Sequence, residues 1–269
     1  MEKQGPPMKN IICFLTVAPA AAFLTFAASL QNDTYDVYVV VDDNGYVVPP
    51  VSGVRIIKMD ERECARQGFC GSLLYFYKNK KPCARDKALC YFSTTAAATC
   101  GSFGHLWLVE EDVFVPHVET IAQIDRKYPR GDLLCKKCDG NIIRTPTDLR
   151  DNTKWHWQQI QKTIKCALPW AATMICAVRV SPRLLAVIAQ YAARHKQLFL
   201  DEVLFVTLAW QAKLHIVFIE ELSHLNYKDR GGSINIININ INPMYLYHPV
   251  KNTALHDTFR KSVVKTLFR

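Results

Sequence analysis

The feature that most constrains this chain is a pair of short apolar runs near its amino terminus, separated by a segment of helix length. The first run spans 11–17, the second spans 36–43, and residues 20–30 lie between them. Both runs are rich in β-branched residues, whereas the segment between them is rich in Ala, Phe and Leu. Continuous apolar runs are typical of parallel strands that are buried on both faces. The pattern therefore predicts a strand–helix–strand unit and a parallel sheet.

The same segment has a second interpretation. Residues 10–30 are nearly all apolar and follow Lys3 and Lys9, which is also typical of a signal peptide or a membrane anchor. Because the strand at Val39 to Val41 needs a partner and the first run supplies one, we favour the strand–helix–strand unit. We accordingly expect no stable membrane span and a cytoplasmic location. The alternative is an amino-terminal signal anchor that places the domain in a lumenal compartment.

The rest of the chain continues to alternate between strand and helix patterns. Ser181 followed by Pro182 marks a helix start, since Ser is a favoured cap and Pro a favoured first residue. Strand patterns occur at 54–58, 105–109, 132–135, 214–218 and 233–242, and helix patterns at 83–95, 118–127, 182–195 and 200–211. Such alternation predicts an α/β fold.

Charge and cysteine content exclude several classes of protein. The formal net charge of +9 suits anionic partners. The tightest basic run, at 78–81, is short, and no arginine-rich arm or zinc-finger spacing accompanies it, so we expect no nucleic-acid partner. The ten cysteines lie mostly in apolar or mixed stretches, which indicates buried free thiols rather than a disulfide framework. Cys135 and Cys138 have the spacing of half a zinc site, but no second half is evident.

Two acidic clusters follow predicted strands. Asp42 and Asp43 form the first, and Glu110, Glu111 and Asp112 form the second. Ligands of open α/β sheets bind at the carboxyl ends of strands, and bunched carboxylates are costly unless a cation compensates them. Mg²⁺ and Mn²⁺ take oxygen ligands, and Mg²⁺ usually binds carboxylates together with substrate phosphates. The second cluster therefore predicts a Mn²⁺ or Mg²⁺ site for a diphosphate; the alternative is a solvated acidic turn in which Asp112 caps a helix.

Three charged residues lie on the predicted helix between these clusters. Arg85 and Lys87 carry cations that would bridge a diphosphate, and Asp86 would hold a ribose or sugar hydroxyl. The alternative is an exposed helix face on which the three charges pair locally.

Three further groups are candidates for binding or catalysis. Asp201 and Glu202 open a helix, where the helix dipole favours carboxylates in any case, or they serve as a general base or an acceptor ligand. His248 is a candidate metal ligand, although a lone histidine is commonly structural. Trp155 and Trp157 would offer apolar faces to an acceptor sugar, or they belong to the core.

The order of these pieces resembles the GT-A superfamily of nucleotide-sugar glycosyltransferases, and within it a group of soluble glycosyltransferase-like proteins of algae and large algal viruses. The segments that carry the resemblance are 35–44, 85–89, 106–114, 176–185, 199–205 and 247–251. The resemblance implies a single-domain GT-A (Rossmann-like) fold with a mixed, mostly parallel sheet flanked by helices. It also implies a nucleotide-sugar-binding half at 10–145 and an acceptor-binding half at 146–269, while the polar composition of residues 1–9, with Pro and Gly, predicts a flexible tail.

The resemblance implies the transfer of a sugar from a nucleotide-diphosphate sugar to a hydroxyl of a glycan or glycoprotein, with Mn²⁺ or Mg²⁺ as cofactor. Glu110 and Asp112 would replace the Asp-x-Asp metal motif of the family, with Glu at its first position. His248, the third candidate metal ligand, and Lys251 would match the C-terminal segment that closes over the diphosphate. Asp201 or Glu202 would be the catalytic base. The residues expected to bind the nucleotide sugar are Asp42, Asp43, Arg85, Asp86, Lys87, Glu111 and Lys251.

Two other functions remain open at this point. A sugar nucleotidyltransferase has a similar sheet but needs a glycine-rich loop after the first strand, and residues 17–20 contain no glycine. A non-catalytic binding protein with the GT-A fold would bind the sugar nucleotide without turnover.

Overall fold

Strands and helices alternate along the chain, as the sequence predicts. The computed structural model describes residues 8–73, 81–95, 103–138, 140–152, 155, 157–226 and 241–267. Within these residues, the strands are β1 (Asn10–Thr16), β2 (Tyr35–Val41), β3 (Arg55–Ile57), β4 (Leu106–Glu110), β5 (Leu133–Cys135), β6 (Ile142–Ile143), β7 (Trp170–Ala171), β8 (Ala177–Val180) and β9 (Ile216–Phe218).

The main sheet has the strand order β3-β2-β1-β4-β8-β5-β9, and β6 pairs with β7 in a separate ribbon. Strand β1 pairs in parallel with β2 and β4, and β3 and β9 extend the sheet in parallel at its two ends. Only β8, among these seven strands, runs in the opposite direction. The carboxyl ends of six strands and the amino end of β8 therefore meet at one border, here called the carboxyl edge; the opposite border is the amino edge.

The helices are α1 (Ala21–Ala28), α2 (Glu61–Gln67), α3 (Ala84–Cys90), α4 (Thr120–Lys127), α5 (Pro146–Asp151), α6 (Trp157–Ile160), α7 (Pro182–His195), α8 (Asp201–Gln211) and α9 (His256–Leu267). The predicted cap of α7 is confirmed, because the Ser181 side chain accepts a hydrogen bond from the Leu184 amide at 3.2 Å. The helix predicted at 83–95 is α3 followed by a π-helical turn at Tyr91–Thr95.

Both faces of the sheet are covered, which explains the continuous apolar run of β1. Ile11 and Cys13 face the core that contains α3, α7 and α8, whereas Ile12 and Phe14 face the core that contains α1 and α4. The amino-terminal segment is thus a central strand followed by a helix, and the strand–helix–strand prediction is confirmed. No helix in the described part of the chain is long and apolar enough to cross a membrane.

Some predictions concern residues outside the described ranges. They are most of the strand at 233–242, most of the basic run at 78–81 and the tail up to residue 7. The fold is the predicted mixed, mostly parallel sheet with helices on both faces. The division at residue 145 stays a prediction, and β8 from the second half lies between β4 and β5 of the first.

Candidate functional site

A cavity of about 440 Å³ lies at the carboxyl edge. It collects residues from the ends of β1, β2 and β4, from the starts of α3 and α8, and from the segment before α9. The charged and hydroxyl residues that line it are Thr16, Asp42, Arg85, Glu110, Glu111, Asp112, Asp201, Lys251 and Thr253. The structure therefore brings together half of the residues that the sequence singled out.

The centre of the site is His248 between two carboxylates. Its Nε2 lies 3.4 Å from Asp112 Oδ1 and 3.7 Å from Glu110 Oε2, and the side chain is 7% exposed. Its Nδ1 lies 2.8 Å from the carbonyl oxygen of Asn226. A carbonyl oxygen only accepts hydrogen bonds, so Nδ1 must donate. Nε2 therefore either carries a second proton or directs its lone pair at a cation shared with the two carboxylates.

Two carboxylates and an imidazole form a donor set that fits a divalent cation of the Mn²⁺ type, whereas Mg²⁺ would be held through the carboxylates. The orientation of the ring supports this fit, since an imidazole whose other nitrogen donates to a carbonyl is the usual form of a metal ligand. Glu110 and His248 have donor atoms close enough to share an ion, and the role of Asp112 as a metal ligand stays a prediction.

Cys176 lies beside this group and was missed by the sequence predictions, which treated it as a buried free thiol. Its sulfur, a Glu110 carboxylate oxygen and a His248 ring nitrogen all lie within 4.8 Å of one another. Burial, and then the neighbouring carboxylate of Glu110, raise the pKa of the thiol well above its ordinary value. The residue immediately precedes β8, so the reversed strand delivers it to the carboxyl edge.

Asp112 is held from two sides. The Lys251 ammonium contacts Asp112 Oδ2, and the Val250 amide donates to the Asp112 carbonyl oxygen at 2.8 Å. Burial opposes ionisation of the side chain, but hydrogen bonds and charge from His248 and Lys251 lower the pKa of Asp112 to about 2. The segment that contains Lys251 is thereby fixed against the acidic cluster.

Arg85 connects Glu110 to Asp201, one of the two predicted catalytic carboxyls. It is 3% exposed, and its Nη2 donates to Glu110 Oε1 at 2.5 Å while its Nε lies 2.8 Å from Asp201 Oδ2. Its Nη1 also donates to the Ile175 carbonyl oxygen at 3.0 Å. This guanidinium neutralises two carboxylates that would otherwise repel each other.

The predicted catalytic carboxyls differ in their surroundings. Both oxygens of Asp201 are occupied, since Oδ2 contacts Arg85 and Oδ1 accepts from the Glu202 amide at 2.8 Å. Burial raises the pKa of Asp201, and Arg85 opposes that rise. Burial, and then the charges of Asp201 and Glu110, raise the pKa of Glu202 to about 8. Glu202 therefore has the higher pKa of the two carboxyls.

The donor-binding roles predicted for Lys87 and Asp86 do not agree with the structure. Lys87 is fully buried, and its Nζ donates to the Asp42 carbonyl oxygen at 2.5 Å and to Glu61 Oε1 at 3.2 Å. Asp86 is also fully buried; it accepts from the Cys83 amide at 3.1 Å and so caps α3. Burial raises the pKa of Asp86 to about 6. Both side chains hold the fold around the site rather than face a ligand.

Asp43 and Glu111 lie at the margin of the site. Asp43 is exposed, and its Oδ1 accepts from the Gly45 amide at 2.8 Å in a tight turn. Glu111 accepts a short hydrogen bond from the Thr16 hydroxyl, which ties its carboxylate to the end of β1. Burial raises the pKa of Glu111.

The two tryptophans predicted to bind the acceptor lie in different environments. Trp157 is fully buried and stacks on Trp170 with a ring-centroid distance of 6.4 Å, so its ring has no free face for an acceptor and its predicted role is wrong. Trp155 is half-buried against the core, and its acceptor role stays a prediction.

A larger cavity of about 590 Å³ lies at the amino edge. Asp125 is its central acid, and three buried donors point at that carboxylate: the Tyr35 hydroxyl at 2.6 Å, Trp107 Nε1 at 3.1 Å and Arg179 Nη1 at 2.6 Å. Because this carboxylate is fully engaged by protein donors, we place the functional site at the carboxyl edge.

Comparisons with known proteins give only distant similarities. No family model matches the chain, and no curated protein matches it significantly. Among solved structures, the apo form of mouse xyloside xylosyltransferase 1 is 11% identical with a TM-score of 0.41, over 92% of this chain and 99% of that one. A hypothetical transferase from Thermus thermophilus is 12% identical with a TM-score of 0.28, over 76% and 77%. We therefore base the proposed function on the site itself.

Proposed function

We propose that this chain is a metal-assisted glycosyltransferase that moves a sugar from a nucleotide-diphosphate sugar to a hydroxyl of a glycan or glycoprotein. The observation that carries the proposal is the His248 ring, whose Nε2 faces the carboxylates of Glu110 and Asp112 at 3.7 and 3.4 Å while its Nδ1 is committed to a carbonyl. The cavity beside them is open at the carboxyl edge, where ligands of α/β sheets bind.

Five charged or titratable residues at or beside the cavity have roles in metal and diphosphate binding. Glu110, Asp112 and His248 hold the divalent cation, which when bound supplies positive charge to a departing diphosphate. Lys251 borders the same cavity and adds a cationic side chain near the leaving group. Arg85 keeps the Glu110 side chain in place, because its guanidinium holds one carboxylate oxygen.

Glu202 is the proposed general base. A base must be deprotonated to accept the proton of an acceptor hydroxyl, and its efficiency is greatest when its pKa lies near the working pH. Burial and neighbouring acids raise the pKa of Glu202 to about 8, so its base form becomes available as the pH rises through that value. Asp201 is proposed to act through Arg85, as a positioning residue, because both its oxygens are already engaged.

The second candidate is a binding protein without turnover. One observation favours it: Glu110 is paired with Arg85 and Asp112 with Lys251, so cationic side chains already balance both acids. A chain that only binds a sugar nucleotide would keep these pairs intact.

A thermal-shift panel of sugar nucleotides, with and without Mn²⁺, tests the proposal. A donor at about 100 times its Kd stabilises the native state by about 2.7 kcal/mol, and we expect this shift to depend on Mn²⁺. Asp112→Asn should remove the metal-dependent part and lower kcat/KM for transfer on the order of 100-fold or more. Asp151→Asn, at the exposed end of α5 and not among the residues that line the cavity, is the control and should retain both.

An unchanged Mn²⁺-dependent shift in Asp112→Asn would contradict the assigned metal ligands. If the wild type binds a donor but releases no nucleoside diphosphate with any acceptor, the binding protein is the correct alternative.

A further inference from the structure

Beside Glu110 and His248 lies a sulfur atom, which is not a preferred ligand for hard cations such as Mg²⁺. Cys176 Sγ lies within 4.8 Å of both the Glu110 carboxylate and the His248 ring nitrogen, and the residue is 5% exposed. Mg²⁺ and Mn²⁺ prefer oxygen donors, whereas thiolate ligands favour softer ions such as Zn²⁺. Carboxylate, thiolate and imidazole together are the ligand types of zinc sites.

We propose that Cys176 is a ligand of the metal bound by Glu110 and His248, and that its sulfur shifts the preference of the site toward Zn²⁺ and Co²⁺. This inference rests on the proposed metal site but concerns which ion that site selects. The thiol gives up its proton to solvent as the metal–sulfur bond forms, because the thiolate is the coordinating form.

The backbone fixes the sulfur next to Glu110. The Glu110 amide donates to the Cys176 carbonyl oxygen at 2.8 Å, which continues the antiparallel pairing of Val109 with Ala177. Glu110, the last residue of β4, and Cys176, the residue before β8, therefore lie side by side at the ends of two paired strands. A site built on strands holds its donors more accurately than one built on loops.

The remaining atoms are arranged so that one donor of each residue is free to face a shared ion. Arg85 binds Glu110 Oε1, which leaves Oε2 on the side of His248. The Asn226 carbonyl oxygen accepts a hydrogen bond from His248 Nδ1, so Nε2 faces Glu110 and Asp112. Two independent contacts thus orient the carboxylate and the imidazole toward the region that Cys176 borders.

Cobalt binding to the full chain provides a direct test. A cysteine thiolate bound to Co²⁺ gives a sulfur-to-cobalt charge-transfer absorption in the near ultraviolet, so the readout does not depend on catalysis. We expect the wild type to show this absorption and Cys176→Ser to lack it. We also expect the serine variant to lose about 10- to 100-fold in Zn²⁺ affinity, measured by chelator competition, while Mn²⁺ affinity changes less than about threefold.

The Cys135 and Cys138 pair supplies a matched control, because both thiols are buried and have the spacing of half a zinc site. Cys138→Ser should keep the absorption. If Cys176→Ser does not fold, Cys176→Ala preserves the small apolar volume and serves in its place, with circular dichroism as the check on folding.

Persistence of the absorption without Cys176, or an equal loss of Zn²⁺ and Mn²⁺ affinity, would overturn the inference. The two proposals fail separately. A wild type with a Mn²⁺-dependent donor shift but no thiolate absorption refutes only the role of Cys176. Thiolate absorption that depends on Cys176, without any donor shift, refutes only the glycosyltransferase.

Discussion

The two edges of the sheet both bury charged side chains, but they balance those charges differently. At the amino edge, a single acid, Asp125, receives three buried donors, including Arg179 at 2.6 Å. At the carboxyl edge, Glu110 and Asp112 face a histidine ring, and Glu202 lies near them with a raised pKa. The first arrangement is internally satisfied. In the second, the five acids at 110–112 and 201–202 lie around the cationic side chains of Arg85 and Lys251, so acids are in excess and an added cation would stabilise them.

This difference indicates which of the two charged cavities is the candidate functional site. The amino-edge cavity is larger, yet its central carboxylate is engaged by protein donors. Buried polar groups that are fully paired define structure, while like charges held together without full compensation indicate a ligand site. The extent to which protein donors and cations pair with the acidic side chains, rather than the size of the cavity, distinguishes the two edges.

The largest effect is expected from breaking the amino-edge cluster. Asp125→Ala leaves the Arg179 guanidinium, which is 1% exposed, without its carboxylate. Removing one partner of a buried pair costs about 3–5 kcal/mol because the remaining charge is uncompensated. We expect a loss of that size in the free energy of unfolding, measured by urea denaturation.

The adjacent exposed pair provides the control for this change. Arg126 lies 3.5 Å from Glu119 with both side chains largely exposed, so Arg126→Ala should cost less than about 1 kcal/mol. If Asp125→Ala costs no more than Arg126→Ala, the amino edge is not a structural cluster and the contrast between the edges fails.

A smaller effect, opposite in sign, is expected at the carboxyl edge. The pKa of Glu202 is raised from 4.5 to about 8 in the folded state, so the folded chain binds this proton more tightly than the unfolded chain. The free energy of unfolding therefore falls as the pH rises from the unfolded pKa through about 8. Glu202→Gln removes this loss and should make the protein more stable than the wild type above pH 8.

Melting temperatures measured from about pH 5 to about pH 9 check this prediction through linkage. The wild type and Glu202→Gln should diverge as the pH rises, whereas Glu119→Gln on the surface should run parallel to the wild type. Parallel curves for wild type and Glu202→Gln would show that the carboxyl edge does not hold this carboxyl in its protonated form.

The smallest effect concerns the hydrogen bond between Thr16 and Glu111. Thr16→Val keeps the shape of this buried residue but removes the hydroxyl that donates to the carboxylate. A single hydrogen bond contributes about 1 kcal/mol net, so urea denaturation should show a loss of that order. Thr25→Val, on the exposed part of α1, should change stability by less than about 0.5 kcal/mol. A loss as large as that from Asp125→Ala would mean that Glu111 belongs to the structural core of the edge.

Local patterns predicted the fold well because they report burial and chain direction directly. The apolar run of β1, the Ser181 cap and the acidic residues after β4 were all read from neighbouring residues, and the structure agrees with each. Patterns of this kind depend on periodicity and on capping chemistry, which are properties of short segments.

The site was predicted only in part, because side-chain pairing depends on contacts between distant segments. Lys87 and Asp86 have the charges of ligand-binding residues, but both are buried. Lys87 donates to Glu61 of α2, and Asp86 accepts from the Cys83 amide at the start of α3. Trp157 has an apolar face that Trp170 covers. Cys176 was not predicted as a site residue because it precedes a strand. A residue before a parallel strand lies at the amino edge, whereas β8 runs in the opposite direction and places Cys176 at the carboxyl edge.

That reversed strand also governs when the site can form during folding. Strand β8 lies between β4 and β5, both of which precede it in the chain, and the His248 segment follows much later. Contacts between residues so distant in sequence form slowly, because loop closure must be completed before they stabilise the chain. We therefore expect the cluster of Glu110, Cys176 and His248 to form late in folding, so that a bound cation would stabilise the completed sheet over its precursors.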